Sequence, residues 1–268
     1  MKTQVGEQPF HVRRVFCAGM WHEGDRVALS REETYHATTV LRLKDGDPIG
    51  VFNGLGKAGL GTLRSTSAKR RSAFDVEIIA VTPPQNLSRW TLAFGWPKKA
   101  AVEFLVRRGT EIGVRAFWPL STQWSERATD WPAGGSLVQH PPIAGHRLHK
   151  LAIEACKQCE LDTVPEFWEP LSFEIWLERQ KARHASLFYA SEHKRFAPLS
   201  DNSKLRGHEH LFLVGPPGGW SAQERAALEK SEFQAVGLGP LALRSETAAV
   251  VGLFSLMAFQ RALPESQG

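Results

Sequence analysis

The chain of 268 residues is short of several things, and each shortage excludes a class of protein. Three cysteines, Cys17, Cys156 and Cys159, cannot build a disulfide framework, which fits a reducing compartment. Cys156-x-x-Cys159 has no second cysteine pair to complete a zinc site, so no metal is expected. The longest uncharged apolar stretch, Ala248 to Gln260, falls short of the ~20 residues that span a membrane. Met1-Lys2-Thr3-Gln4 leads into polar residues rather than an apolar signal core. A cytoplasmic protein without a membrane partner is therefore expected. None of the turns that follow apolar strands in the second half of the chain is a G-x-G-x-x-G fingerprint or a Walker loop, so the ordinary dinucleotide and nucleoside-triphosphate readings of those turns lack their defining residues.

What the chain does have is a hydrophobic content of 42%, enough for a sizeable core, and a mild positive charge of +5. The excess comes in clusters: Arg13-Arg14, Lys69-Arg70-Arg71, Lys98-Lys99 and Arg107-Arg108. Such clusters attract a polyanion through charge and counterion release, or simply decorate a solvated surface. Nine tryptophans are spread along the chain and are expected as core or interface anchors.

Pro83-Pro84 marks a boundary, because two prolines exclude helix interiors and central strands. Residues 1–82 read as mostly β: a strand over 47–52, a hairpin signal at Asn53-Gly54, then strands at 61–64 and 73–81. Ser30-Arg-Glu-Glu33 has capping-box spacing and predicts a helix over 32–40. A small β-barrel accommodates such a segment. Residues 83–268 alternate instead. Apolar runs at 91–94, 116–120, 186–190, 211–214 and 235–238 are separated by amphipathic segments, which argues for a parallel sheet covered by helices. In 98–112, Val102, Leu105, Val106 and Ile112 share a face opposite Arg107 and Arg108; in 146–161 the stripe is Leu148, Leu151, Ala152, Ala155 and Cys159. The segment 246–263 is apolar all round, so burial on every side is expected, within the fold or in a subunit interface.

Three turns follow apolar runs in the second half, the first two of them bearing glycine. They are Leu213-Val214-Gly215-Pro216-Pro217-Gly218-Gly219 before a capping box at Ser221 to Glu224, then Leu238-Gly239, then Leu243-Arg244-Ser245-Glu246-Thr247-Ala248. Glycine lets a ligand approach bare backbone, and loops at the carboxyl ends of parallel strands are the usual ligand edge of such folds.

The order of these turns, strand–GPxGGWS–helix, then V-x-L-G, then L-R-x-E-T-A before an apolar C-terminal helix, resembles the SPOUT class of S-adenosylmethionine-dependent methyltransferases. Within that class the chain is similar to the ribosomal RNA small subunit methyltransferase E family. Arg14-Val15-Phe16, His36 to Asp47, Gly109-Thr110-Glu111-Ile112-Gly113-Val114 and Ile153-Glu154-Ala155 add to the resemblance, which covers nearly the whole chain. It implies a PUA-like RNA-binding barrel over 1–82 and, over 83–268, a methyltransferase domain with a C-terminal trefoil knot. It also implies S-adenosyl-L-methionine as cofactor, methylation at N3 of a uridine in 16S RNA, a small-subunit RNA or assembled subunit as partner, and a homodimer. Carried onto this chain, the three turns would hold the cofactor. Arg244, beside the cofactor turn, would stabilise the developing uracil anion or else form a salt bridge with Glu246 or another carboxylate; Glu246 or Glu111 would take the proton, and Arg13, Arg14, Arg42, Lys44, Lys98, Arg107 and Arg108 would meet RNA. Phe16 could stack a base or pack in the core, and His36 has a capping or packing role. Two departures stand out: Pro217 replaces the glutamate of the family's usual Gly-Pro-Glu-Gly-Gly, and Glu160-Leu161-Asp162-Thr163 carries none of the arginines usual there. An alternative follows from them, a degenerate relative that binds RNA with weak or no methyl transfer, or methylates another position.

Overall fold

A computed structural model describes residues 13–66, 73–85, 88–127, 130–132, 146–181, 185–192, 202–206 and 209–263. The chain divides into two compact units, residues 1–86 with 156–164, and residues 87–155 with 165–268. The structure thus adds to the first unit a segment that the prolines alone would leave in the second.

The first unit is built on β1 (Arg14–Phe16), β2 (Arg26–Ala28), α1 (Arg31–Tyr35), β3 (Pro48–Phe52), β4 (Ala58–Ser65) and β5 (Phe74–Thr82). The strands form one sheet in the order β1-β3-β4-β5-β2; β1 runs parallel to β3 and the other pairs are antiparallel. No pairing among the described residues joins β1 to β2, so the expected barrel is a five-stranded sheet in this respect. Alternation along β5 puts Phe74, Val76 and Ile78 into a core with Val15, Val51 and Leu63. The hairpin at Asn53-Gly54 is wider than a two-residue turn. Asn53 Oδ1 accepts from the backbone of both Leu55 and Lys57, which holds a five-residue connection between β3 and β4.

The predicted helix over 32–40 is split. Ser30 caps α1 through its hydroxyl, but a π-helical turn, His36–Val40, replaces the regular continuation, with Leu41 N donating to His36 O. Glu33 does not reach back to complete a capping box. Its carboxylate accepts from Phe16 N at 3.1 Å and pairs with buried Lys157 at 3.0 Å. Just beyond, Arg42 adopts φ 58°, an uncommon conformation for a non-glycine residue.

The second unit carries β6 (Trp90–Gly95), α2 (Lys99–Glu111), β7 (Ala116–Ser121), β8 (Glu166–Phe167), β9 (Leu171–Ser172), α4 (Phe173–Gln180), β10 (Ser186–Ala190), β11 (His210–Val214), α5 (Ala222–Lys230), β12 (Gln234–Val236) and α6 (Ser245–Ala262); α3 (Arg147–Cys159) begins in it and ends in the first unit. Its sheet runs β12-β10-β11-β6-β7-β8, with β9 also on β7, and every pair is parallel. The central strands β6 and β11 are buried along their whole length, as a parallel sheet covered on both faces requires.

Three helix expectations are refined. On α2 the stripe Val102, Leu105 and Val106 is buried, whereas Ile112 is only half-buried at the helix end. On α3 it is Cys156, rather than Cys159, that enters the core, and burial pushes the Cys156 thiol well above its ordinary value. Along α6 one face is buried through Ala249, Leu253, Leu256 and Met257, while Val251, Phe254 and Phe259 on the other are exposed. The helix is anchored to the sheet by Gln260, which accepts from Trp90 Nε1 at 2.8 Å and donates to Leu205 O at 3.0 Å. No helix among the described residues is long and apolar enough to cross a membrane.

Candidate functional site

Parallel strands put all their carboxyl ends on one edge of the sheet, and loops there are free to shape a cleft. At that edge of the second unit lies a cavity of about 700 Å³. The three turns singled out in the sequence meet in it: Val214 at the end of β11 with Gly215 to Gly219 after it, Leu238 and Gly239 after β12, and Leu243 to Glu246 with Ala248 at the start of α6. Of the residues expected to hold a cofactor, Leu213 is fully buried in the core and does not line the cavity, and neither does Thr247.

The backbone explains the glycines. Gly219 N donates to Pro216 O at 2.9 Å, closing a tight turn with Pro217 and Gly218 at its centre; Gly219 has φ 73°. Proline suits the second position of such a turn, since its fixed φ is the one required and its missing N–H is not used. The substitution at Pro217 therefore removes a carboxylate without opposing the turn. Another carboxylate reaches the same place: a Cβ added to Gly219 would lie 3.3 Å from Glu192 Oε1. Gly95 is packed so closely on Pro216 that an added Cβ would come within 2.6 Å. Gly239 differs, with φ 114° and no atom within 4 Å of where a Cβ would stand. Its bare backbone faces open space.

Several lining residues lie outside the three turns. Trp124 and Glu126 follow β7, Ala190 ends β10 with Ser191 and Glu192 after it, and Lys98 with Ala101 open α2. The runs that became β7 and β10 are plain in the sequence. The rule that ligands gather at strand carboxyl ends, applied to every strand rather than to glycine-bearing ones, points to these residues too.

Arg244 caps the N-terminus of α6 without a side-chain cap bond, is exposed, and lines the cavity with no ion pair among the described residues. The alternative of a salt bridge to Glu246 is absent; Glu246 Oε2 instead accepts from Ser245 Oγ at 3.3 Å. Glu111 lies away from this site. It pairs with Arg108 at 2.6 Å on α2 and does not line the cavity, so as a proton acceptor it is set aside.

Charges in the lining suit one kind of ligand. Glu126, Glu192 and Glu246 supply three carboxylates, Lys98 and Arg244 two cations, and Leu238, Leu241, Ala242 and Leu243 an apolar wall. A nucleoside-sized molecule carrying an amino-acid zwitterion and an additional positive centre fits that donor set, and the volume falls in the ~300–1,000 Å³ usual for small-molecule sites.

The residues expected to meet RNA divide. Arg13, Arg42 and Lys44 are exposed in the first unit. Arg14 is not: its guanidinium is buried, ion-paired with Asp162 and set 4.7 Å over the Phe52 ring, so it cannot serve as a phosphate contact. Burial raises the Asp162 carboxyl against the opposing pull of Arg14. Phe16 packs edge-on against Phe52 at 5.5 Å, which favours its core reading. In the second unit Arg107 and Arg108 are exposed on α2, and Lys98 lines the cavity. Lys69-Arg70-Arg71 lies outside the described residues.

Comparison with known proteins agrees with this geometry. Residues 83–257 match the model of the RNA methyltransferase domain, and residues 29–71 that of the RNA methyltransferase PUA domain. The chain is 26% identical over 239 residues to ribosomal RNA small subunit methyltransferase E of Bacillus subtilis, covering 87% of this chain and 90% of that protein. Among solved structures, it superposes at a TM-score of 0.76 and 26% identity on a Legionella pneumophila protein assigned as a methyltransferase in complex with bound SAM, covering 93% of this chain and 98% of that one. A Neisseria gonorrhoeae ribosomal RNA small subunit methyltransferase E bound to S-adenosyl methionine gives a TM-score of 0.77 at 23% identity, with 94% and 98% covered.

Proposed function

Because this chain belongs to the RNA methyltransferase family, whose domain model spans residues 83–257, we propose that it transfers a methyl group from S-adenosylmethionine to N3 of a uridine in 16S RNA of the small ribosomal subunit. The observation that carries this reading is the 700 Å³ cavity in which three backbone turns converge at the carboxyl edge of a parallel sheet. The Bacillus relative's name and the SAM bound to the Legionella protein support it.

When bound, the cofactor supplies a methyl group on a positively charged sulfonium, which departs as a neutral thioether. The protein's part is alignment and charge control. Gly215, Gly218 and Gly239 offer backbone to the adenosine and amino-acid groups, and the carboxylates of Glu126, Glu192 and Glu246 favour the positive centres. Uracil N3 holds a proton and becomes nucleophilic as that proton leaves. Arg244, open to the cavity, stabilises the charge developing on the neighbouring carbonyl oxygens. Glu246 is the remaining candidate to accept the proton.

The proposal extends to organisation. Residues 1–82 would grip RNA, with Arg13, Arg42 and Lys44 as phosphate contacts, and residues 83–268 would carry out transfer in the cytoplasm, where the subunit is found. The exposed Val251, Phe254 and Phe259 of α6 support a homodimer through that helix. The resemblance adds a trefoil knot closed by the C-terminal segment. A second reading, RNA binding without transfer, is favoured only by the loss of a carboxylate at Pro217.

Two measurements test the whole. Calorimetry with S-adenosylmethionine should give one site per chain, and labelled methyl should appear in small-subunit RNA or assembled subunits. Binding of cofactor and RNA without transfer would support the second reading. No binding of the cofactor would remove the first reading, and no binding of RNA would remove the second.

A further inference from the structure

All nine tryptophans lie among the described residues, and eight of them are buried or partly so. Trp124 alone is exposed, at 55%. A large apolar ring left in water away from any core partner gives up the stabilisation that burial provides, so its position calls for an occupant.

The ring is held in place. Thr122 N donates to Ser125 Oγ at 2.9 Å, Gln123 N to Glu224 Oε1 at 2.8 Å, and Glu126 N to Trp96 O at 2.9 Å. The turn carrying Trp124 is therefore tied down on both sides of it. Its Cβ also packs on Gly218, where an added Cβ would approach to 2.7 Å. Trp124 is thus a flat apolar surface at the wall of the first cavity whose ordering is already complete.

A second cavity of about 330 Å³ adjoins the first, and Lys98 and Glu126 line both. Its walls carry Lys98, Lys99, Arg127 and Arg147. Arg147 is paired with Glu103 at 2.8 Å and Lys99 lies 4.0 Å from Asp130, which leaves Lys98 and Arg127 without an ion pair among the described residues. Trp96, Pro97 and Leu148 add apolar surface. Free cations beside apolar walls suit a nucleotide, with phosphate on the cations and a base or sugar on the walls.

We propose that Trp124 is the stacking platform for the nucleobase to be methylated, and that the RNA strand continues past Lys98 into the second cavity. The inference rests on the first cavity being the methyl-donor site. Leu238, Leu241 and Leu243 would give the donor's adenine an apolar wall of its own, whereas Trp124 lies two residues from Glu126, which lines both cavities. Single-stranded bases are held by aromatic faces in this manner.

The test uses a short fluorescein-tagged oligouridine and fluorescence anisotropy on the full chain. Trp124→Ala should weaken binding on the order of 10- to 100-fold, the worth of one stacked base, while Trp124→Phe restores most of the affinity. Calorimetric affinity for S-adenosylmethionine should be the same in all three proteins. Unchanged oligouridine affinity in Trp124→Ala, no binding by the wild type, or an equal loss of cofactor affinity would each overturn the platform. Failure of the underlying reading is visible separately: the wild type would then take up no cofactor, while the oligouridine comparison would still show whether Trp124 stacks bases.

Discussion

In the first unit the buried charges answer one another: Arg14 and Asp162 are paired with side chains 7% exposed, and Lys157 meets Glu33 at 3.0 Å. Around the first cavity of the second unit, Arg244 and Lys98 line an open space with no ion pair among the described residues. Arg14 and Lys98 looked alike in the sequence, each one half of a basic pair. The difference lies in solvation. A charge withdrawn from water is tolerable only with a hydrogen-bonded partner, and once that partner is in place its capacity for a ligand is gone. A charge kept at a cavity wall retains that capacity.

The comparison is tested hardest at Arg14. Removing one member of a buried pair strands the other, so Arg14→Met should lower stability by about 3–5 kcal/mol in urea unfolding. Adding Asp162→Leu should recover most of that loss. The salt dependence of RNA binding should be unaltered in Arg14→Met at a temperature where it is folded, whereas Arg42→Ala should lower the slope by about one phosphate contact. A reduced slope in the Arg14 variant, with stability intact, would place that guanidinium on RNA after all.

Arg244→Ala is the opposite case. Its side chain is exposed and unpaired among the described residues, so thermal stability should hardly move. Methyl transfer should fall about 10²–10³-fold in kcat with cofactor affinity retained, the usual effect of deleting one preorganised donor to a developing anion. A wild-type rate would return Arg244 to the solvated surface.

How far these roles could be read from the chain follows the same division. The strands at 91–94, 116–120, 186–190 and 211–214 were legible because a parallel sheet buried on both faces needs continuous apolar runs. The turns after β11 and β12 were legible because glycine and proline fix backbone locally, and the third because it opens the apolar C-terminal helix. Pairings across the chain were not: nothing near Arg14 announces Asp162, separated from it by 148 residues, and nothing near Ser30 shows that Glu33 turns inward to Lys157 rather than back to its cap. Trp124 was hidden for a related reason. Tryptophan is so often a core residue that its exposure becomes visible only when the eight others are seen packed.

His149 sharpens the comparison from a third side, since an uncommitted polar group need not mark a site. It is buried on α3 in the second unit, its Nε2 has no partner among the described residues, and it lines neither cavity. Burial, reinforced by neighbouring His146, pulls its pKa down from 6.5 to about 4. The unfolded chain therefore takes up a proton at this position below pH 6.5 while the folded chain resists until about pH 4. Stability from this group is complete above that window and is lost as pH falls through it, by about 3 kcal/mol in all. His149→Gln should flatten that part of the pH profile of urea unfolding. An unchanged slope would mean that the imidazole is solvated or paired in solution.

The smallest effect is expected at Gly239, where the open backbone itself is the functional feature. At φ 114° an L-residue is strained, and Gly239→Ala should lower stability by about 1–3 kcal/mol even though no protein atom stands within 4 Å of the new methyl group. That empty space is where the proposed cofactor would lie, so its affinity should fall together with stability. Arg14→Met should lose stability alone. Gly239→Ala with native cofactor affinity would show that the turn after β12 supports the fold without touching the ligand, and the line drawn here between closed and open parts of the molecule would have to move inward, to the turns after β11 and before α6.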